Sequence, residues 1–245
     1  MPAVHEFEVQ ARTRPETVVV VIPTLNEQDS IEPVIRSISR DVVDRIIVAD
    51  SGSSDATTER ARRAGADVID AGRGYGRACL TAANAASGAD ILVFMDGDGA
   101  DDAQSIVALV EPIRSASYDF VIGSRVRGKR DPGSMAWHQI AAGLLAGAGM
   151  RLLYGARFSD MCAFRAIRRD ALMRLGMREL TYGWNIEMQM RAARCQLRIL
   201  EIPVPYHCRT GGASKVAGSF RGSLRAGVRI MATFARVSMQ SNRKG

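Results

Sequence analysis

Ile91-Leu92-Val93-Phe94-Met95-Asp96-Gly97-Asp98 decides how this chain folds and where its chemistry sits. Five apolar residues read as a buried strand, and the strand stops at two carboxylates separated by one glycine. Successive strand side chains point to opposite faces, so Asp96 and Asp98 share one. Like charges on one face repel, and a cation between them relieves the repulsion. Carboxylate oxygens suit Mg²⁺ or Mn²⁺, ions held by one or two carboxylates together with a substrate's phosphates. Gly97 and Gly99 leave room for a bulky ligand at that edge. Asp and Gly are also ordinary turn residues, so the motif by itself admits a plain surface turn.

Outward from this strand the same pattern repeats. Further strands are expected at 18–22, ended by Pro23, and at 46–49, 66–69 and 120–122. Between them Ile31, Val34, Ile35 and Ile38 fall at helical spacing. Asp55 and Gly65 suit the start and end of a second helix, and 77–86 and 102–113 read as two more. Buried β-branched runs alternating with helices imply an α/β, Rossmann-like, mostly parallel sheet covered on both faces. Ligands of such sheets bind beyond the carboxyl ends of the strands. Polar residues gather there, in the loops 24–27, 50–55, 96–102 and 124–130. The second half is less regular. It offers a Gly/Ala-rich helix at about 136–153, the pair Ser159-Asp160, a helix at about 185–195, a strand at 199–204, a basic glycine-containing loop at 209–215 and a last helix.

A chain of 245 residues suits one large domain with a small appendage. Its four cysteines form no C-x-x-C pair, which argues against a zinc site or disulfide framework and for a reducing, cytoplasmic setting. The first residues lack the apolar stretch of a signal peptide. No window holds the ~18 apolar residues of a spanning helix, and 140–150 reads as a tightly packed helix. Net charge is +7, and beyond Arg191 the only acid is Glu201. Such a tail favours anionic partners, namely phosphates, an anionic membrane surface or nucleic acid. Aromatics do not interleave with the basic residues, which argues against nucleic acid.

With these residues in view, the chain resembles glycosyltransferase family 2, in particular its polyprenyl-phosphate (dolichyl-phosphate) mannosyl- and glucosyltransferase-like branch. The resemblance spans about 17–232. It rests on Ile22-Pro23-Thr24-Leu25-Asn26-Glu27, Asp50-Ser51-Gly52-Ser53-Ser54-Asp55, Gly74-Tyr75-Gly76, Asp96-Gly97-Asp98, Gly123-Ser124-Arg125, Asp160 with the run 164–168, the run 182–189, and Arg209 with Gly212, Ser214 and Lys215. It implies a GT-A fold, a nucleotide-sugar donor, a divalent cation (Mg²⁺ or Mn²⁺) and inversion at the sugar. A catalytic domain would then occupy 17–217, after a flexible tail at 1–16 and before a basic amphipathic helix and tail at 218–245. By motif position, Pro23, Leu25 and Glu27 would line the nucleoside pocket, Asp50 would bond the base, and Arg73 and Gly74 would lie beside the donor. Asp96 and Asp98 would hold ribose, metal and diphosphate. Two positions depart from the family pattern. Ser51 stands where a second Asp is common, and Ala100 stands where mannosyltransferases often carry a Gln metal ligand, leaving Asp101 or Asp102 as substitutes.

The acceptor decides what other groups are needed. A hydroxyl calls for a general base, whereas a phosphate monoester is largely deprotonated at neutral pH and calls for positive charge. Arg125, Arg165, Arg209 and Lys215 are the candidates to hold a polyprenyl phosphate. Asp160 and Glu187 are either bases for a soluble hydroxyl acceptor or partners that orient arginines, with Arg191 a ready mate for Glu187. In the last helix Phe220, Leu224, Val228, Met231 and Ala235 form one stripe, and Arg221, Arg225 and Arg229 form a second row. Such a helix suits a peripheral position on the inner face of the cell membrane. Its stripe equally suits docking on the domain or on a second subunit of a homo-oligomer.

Overall fold

The computed structural model describes residues 16–211 and 220–239. The apolar run before Asp96 is strand β4 (Ile91–Phe94), buried at every position. Beside it lie β1 (Val18–Thr24), β2 (Arg45–Asp50) and β3 (Asp67–Asp70), all parallel, in the order β3-β2-β1-β4. β1 continues through Pro23 to Thr24, opposite Asp50. A proline near a strand's end forfeits only one ladder donor.

Beyond β4 the sheet continues through β6 (Arg165–Arg168), β5 (Phe120–Ser124) and β7 (Ile199–Pro203). β6 is antiparallel to both neighbours, while β5 and β7 are parallel to each other. The reversal has a consequence for the site: β6 starts at the edge where the other strands end, so the segment leading into it, with Asp160, arrives beside the loops after β4 and β5. The sheet is mostly parallel, as the alternating pattern implies.

The helices pack β-branched and alanine faces onto this sheet in one continuous core. α1 (Ile31–Ser37) buries Ile31, Val34 and Ile35. α2 (Thr57–Arg63) begins two residues after Asp55, whose carboxylate accepts from the Thr57 and Gln28 amides. α3 (Tyr75–Ala85) begins two residues earlier than expected, directly at Gly74. Asp102 caps a 3-10 turn (Ala103–Ser105) that leads into α4 (Ile106–Arg114).

The second half holds α5 (Trp137–Tyr154), α6 (Arg169–Leu175), α7 (Trp184–Arg194) and α8 (Phe220–Met239). α6 was not expected; β6 runs straight into it and Gly176 ends it. α5 corrects the sequence reading, because it is not tightly packed: only Gly143, Gly147 and Met150 are buried, while Trp137, Leu144, Leu145, Leu152 and Leu153 are exposed. α8 docks on the domain through Thr233 and Arg236, which donate to Glu179 at 3.0 and 3.1 Å. Of its expected apolar stripe, Val228, Met231 and Ala235 are exposed and do not form the docking face, and the side chains of Phe220 and Leu224 lie outside the described residues. No helix among the described residues is long and apolar enough to cross a membrane.

Candidate active site

The carboxyl ends of β1, β4 and β5 open into a cavity of about 620 Å³. Pro23, Leu25 and Glu27 come from the end of β1, Arg73 and Gly74 from the turn into α3, and Asp96 and Asp98 from the end of β4. Arg125, after β5, and Arg209, after β7, complete the polar wall. Nine of the residues picked out by motif are thus neighbours in space.

Asp96 accepts from the Tyr75 hydroxyl at 3.1 Å. Burial and the adjacent Asp98 charge push its pKa up to about 6, against the pull of Tyr75, Arg125 and Arg209. Asp98 accepts from the Ala100 amide with one oxygen and faces Arg209 with the other, at 3.1 Å. The same Arg209 nitrogen donates to Glu27 at 3.2 Å. One guanidinium thus neutralises two carboxylates at the mouth. Asp101 backs the motif by accepting from the Asp96 amide at 2.9 Å, and burial holds its carboxyl well above the usual range. Asp102, occupied with its cap, is not beside the pair, so Asp101 is the acid next to Asp96.

These groups fit a hard divalent cation that shares its coordination with a ligand. Among the described residues no cluster of three or more His, Cys, Asp and Glu could hold a metal alone. Two carboxylates whose mutual repulsion raises a pKa leave the remaining positions to phosphate oxygens and water.

Arg125 is held by two partners. Its Nε and a terminal nitrogen donate to the two Asp160 oxygens at 2.8 and 2.7 Å, and its guanidinium lies over the Tyr206 ring at 5.0 Å. Burial raises the Asp160 carboxyl, but the Arg125 hydrogen bonds outweigh that and hold it below the usual carboxylate range. Asp160 therefore orients an arginine and is a poor proton acceptor at neutral pH.

Among the described residues, Asp50, Asp160, Glu187 and Arg165 lie outside the cavity wall. Asp50 accepts from the Gly52 and Ser53 amides of its own turn, and Ser51 lines the cavity in its place. Glu187 is fully buried and accepts from the Arg178 and Glu179 amides and from Arg191 at 2.9 Å, which makes it the partner of Arg191 and corrects the catalytic reading. Arg165 is also fully buried, donating to the Ala163, Asn185 and Cys162 carbonyls, and this corrects its assignment to an acceptor phosphate. Lys215 lies outside the described residues.

Sequence reading missed Tyr75 and Tyr206, single aromatics with no periodic signal. The Gly74-Tyr75-Gly76 motif did mark the first. Gly76 is required because a Cβ there would lie 2.3 Å from the Glu179 carbonyl, and this close approach seats Tyr75 against Asp96. Asn185, Thr181 and Met161 line the cavity as well.

Comparison with known proteins agrees with this geometry. The family model described as "Glycosyl transferase family 2" matches residues 19–176. An uncharacterized glycosyltransferase of Mycobacterium tuberculosis is 35% identical over 214 residues, covering 86% of this chain and 94% of the relative. The undecaprenyl-phosphate mannosyltransferase of Micrococcus luteus is 32% identical, covering 84% and 89%. Among solved structures, glucosyl-3-phosphoglycerate synthase from Mycobacterium tuberculosis, in complex with Mn²⁺, UDP-glucose and phosphoglyceric acid, superposes with a TM-score of 0.73 and is 27% identical, covering 93% of this chain and 82% of that one. This chain shares the GT-A fold of its structural neighbours. A strand-end acid pair, a cavity at the mouth of a mostly parallel sheet and these likenesses together place the chain in glycosyltransferase family 2.

Proposed function

We propose that the protein transfers a hexose from a UDP- or GDP-sugar to a polyprenyl phosphate, with inversion, at the inner face of the cell membrane. The carrying observation is the Arg125–Asp160 pair. The acid best placed to serve as a base is committed to an arginine, and that arginine faces the cavity. A phosphate acceptor, already ionised, needs the cation and not the base. The names of the Micrococcus luteus relative and of a polyprenol monophosphomannose synthase from Mycolicibacterium smegmatis, 27% identical over 228 residues, support the lipid acceptor.

In this reading Pro23, Leu25 and Glu27 border the nucleoside and Arg73 and Gly74 flank the sugar. Asp98, with Asp96, would hold Mg²⁺ or Mn²⁺, which when bound supplies positive charge to the departing diphosphate. An acceptor phosphate oxygen, positioned by Arg125 and Arg209, attacks the anomeric carbon from the face opposite the leaving group. Tyr75 fixes the Asp96 carboxylate, and Asp101 fixes the backbone beneath it.

A second reading keeps the donor and uses a soluble acceptor, favoured by the phosphoglyceric acid in the solved relative. Incubation with labelled UDP- and GDP-sugars, offering polyprenyl phosphate and phosphoglyceric acid in parallel, separates the two. Label passing to the lipid phase is expected; label passing only to the soluble acid contradicts the lipid reading.

Cation binding should depend on pH in one direction. Asp96 titrates near 6, and a cation needs its ionised form. Affinity for Mn²⁺ with UDP should be level above about pH 7 and fall as pH drops through about 6, toward tenfold per unit, about 1.4 kcal/mol each, below about pH 5. Calorimetric titration from pH 5 to 8 measures this; a level affinity down to pH 5 contradicts it.

A further inference from the structure

α5 poses a physical problem. Between Trp137 and Met150 its only polar side chains are His138 and Gln139, and a helix apolar on all sides belongs in a core or against lipid. One face is buried: a Cβ on Gly147 would lie 2.0 Å from the Phe158 carbonyl, and one on Gly149 would lie 2.6 Å from the Phe234 ring of α8. The opposite face is bare. Trp137, Leu144, Leu145 and Leu152 are 80, 54, 75 and 86% exposed, and their i, i+7, i+8, i+15 spacing makes one stripe. On α8, Val228 and Met231 are 62 and 67% exposed.

Charge says what covers this surface. Neither helix contains an aspartate or glutamate, while Arg151 and Arg229 are exposed on them. A symmetric dimer would place the patch against itself and bring these arginines together with no acid on either helix to pair them. An anionic bilayer offers apolar depth for the leucines, headgroup phosphates for the arginines and an interface of the kind tryptophan prefers. Gln139 of α5 and Ile230 of α8 also line the cavity, so the surface borders the mouth of the site.

We propose that the exposed faces of α5 and α8 dock the protein on an anionic lipid surface, with Trp137, Leu144, Leu145 and Leu152 entering the headgroup–acyl boundary. This deepens the lipid-acceptor reading but is measured by binding alone, so it fails or stands separately from sugar transfer.

The chain has two tryptophans, and Trp184 is fully buried, so the change in emission on docking belongs to Trp137. Full-length protein is mixed with vesicles of phosphatidylglycerol and phosphatidylcholine, plain or brominated near the headgroup. Expected are a blue shift, quenching by the brominated lipid, and loss of both in Trp137→Phe. Leu145→Glu/Leu152→Glu should weaken vesicle binding at least about tenfold while leaving UDP binding unchanged, which reports an intact fold. Binding that persists in the double variant, or that leaves Trp137 unquenched, overturns the proposal. So does a wild-type dimer in size-exclusion chromatography that the double variant converts to a monomer, since a second copy would then be the cover.

Discussion

Asp98→Ala should abolish cation-dependent binding of a nucleoside diphosphate and lower sugar transfer by about 10³-fold. The side chain has two contacts, the Ala100 amide and Arg209. Its backbone carbonyl separately receives the Thr210 amide, so the 209–210 segment keeps an anchor when the carboxylate is removed. The variant should therefore fold, with Arg209 retained by Glu27 alone. Wild-type protein with UDP and Mn²⁺ at about 100 times the dissociation constant gains about 2.7 kcal/mol of stability. Thermal unfolding of Asp98→Ala should show no such gain, with or without Mn²⁺. A full shift in the variant would remove the metal from this acid pair.

Arg125→Ala should have two separable effects. It leaves Asp160, only 2% exposed, without its cation, and an uncompensated buried charge costs about 3–5 kcal/mol. It also takes away the positive charge that the proposed acceptor phosphate meets, at about 10²-fold or more in transfer. Pairing Arg125→Gln with Asp160→Asn removes both charges and should restore most of the stability while leaving transfer low. Donor binding, measured by UDP titration with Mn²⁺, should stay within a few-fold of wild type throughout. If the paired variant transfers at the wild-type rate, Arg125 does not position the acceptor. If it loses donor binding instead, the arginine belongs to the diphosphate.

Much of this arrangement is legible in the residues. Strands β1, β2 and β4 are continuous β-branched or apolar runs, and burial on both faces requires such runs, so their period is easy to read. The polar loops at their ends then mark the site, and the motif order ties them to a family. What is not legible depends on contacts distant in sequence. β6 reads as a short mixed segment, and nothing local shows that it reverses direction between β4 and β5. That reversal brings Asp160 to Arg125, 35 residues earlier in the chain. Glu187 and Arg165 show the same limit from the other side. Both carry a motif's charge. Arg191, four residues from Glu187 on one helix, is legible as its mate, but the Arg178 and Glu179 amides that hold Glu187 and the carbonyls that hold Arg165 are not. α5 misleads because its composition is that of a core helix, while half its surface has no protein against it.

The central claim is that Asp96 and Asp98 grip a donor's diphosphate through a cation. Crystals soaked with UDP and Mn²⁺, with diffraction collected at the manganese absorption edge, test it most directly. The account predicts one anomalous peak within coordination distance of an Asp98 oxygen and of the diphosphate, with Arg209 moved off Asp98. A nucleotide bound in the cavity with no peak there, or a manganese site elsewhere on the chain, would contradict it.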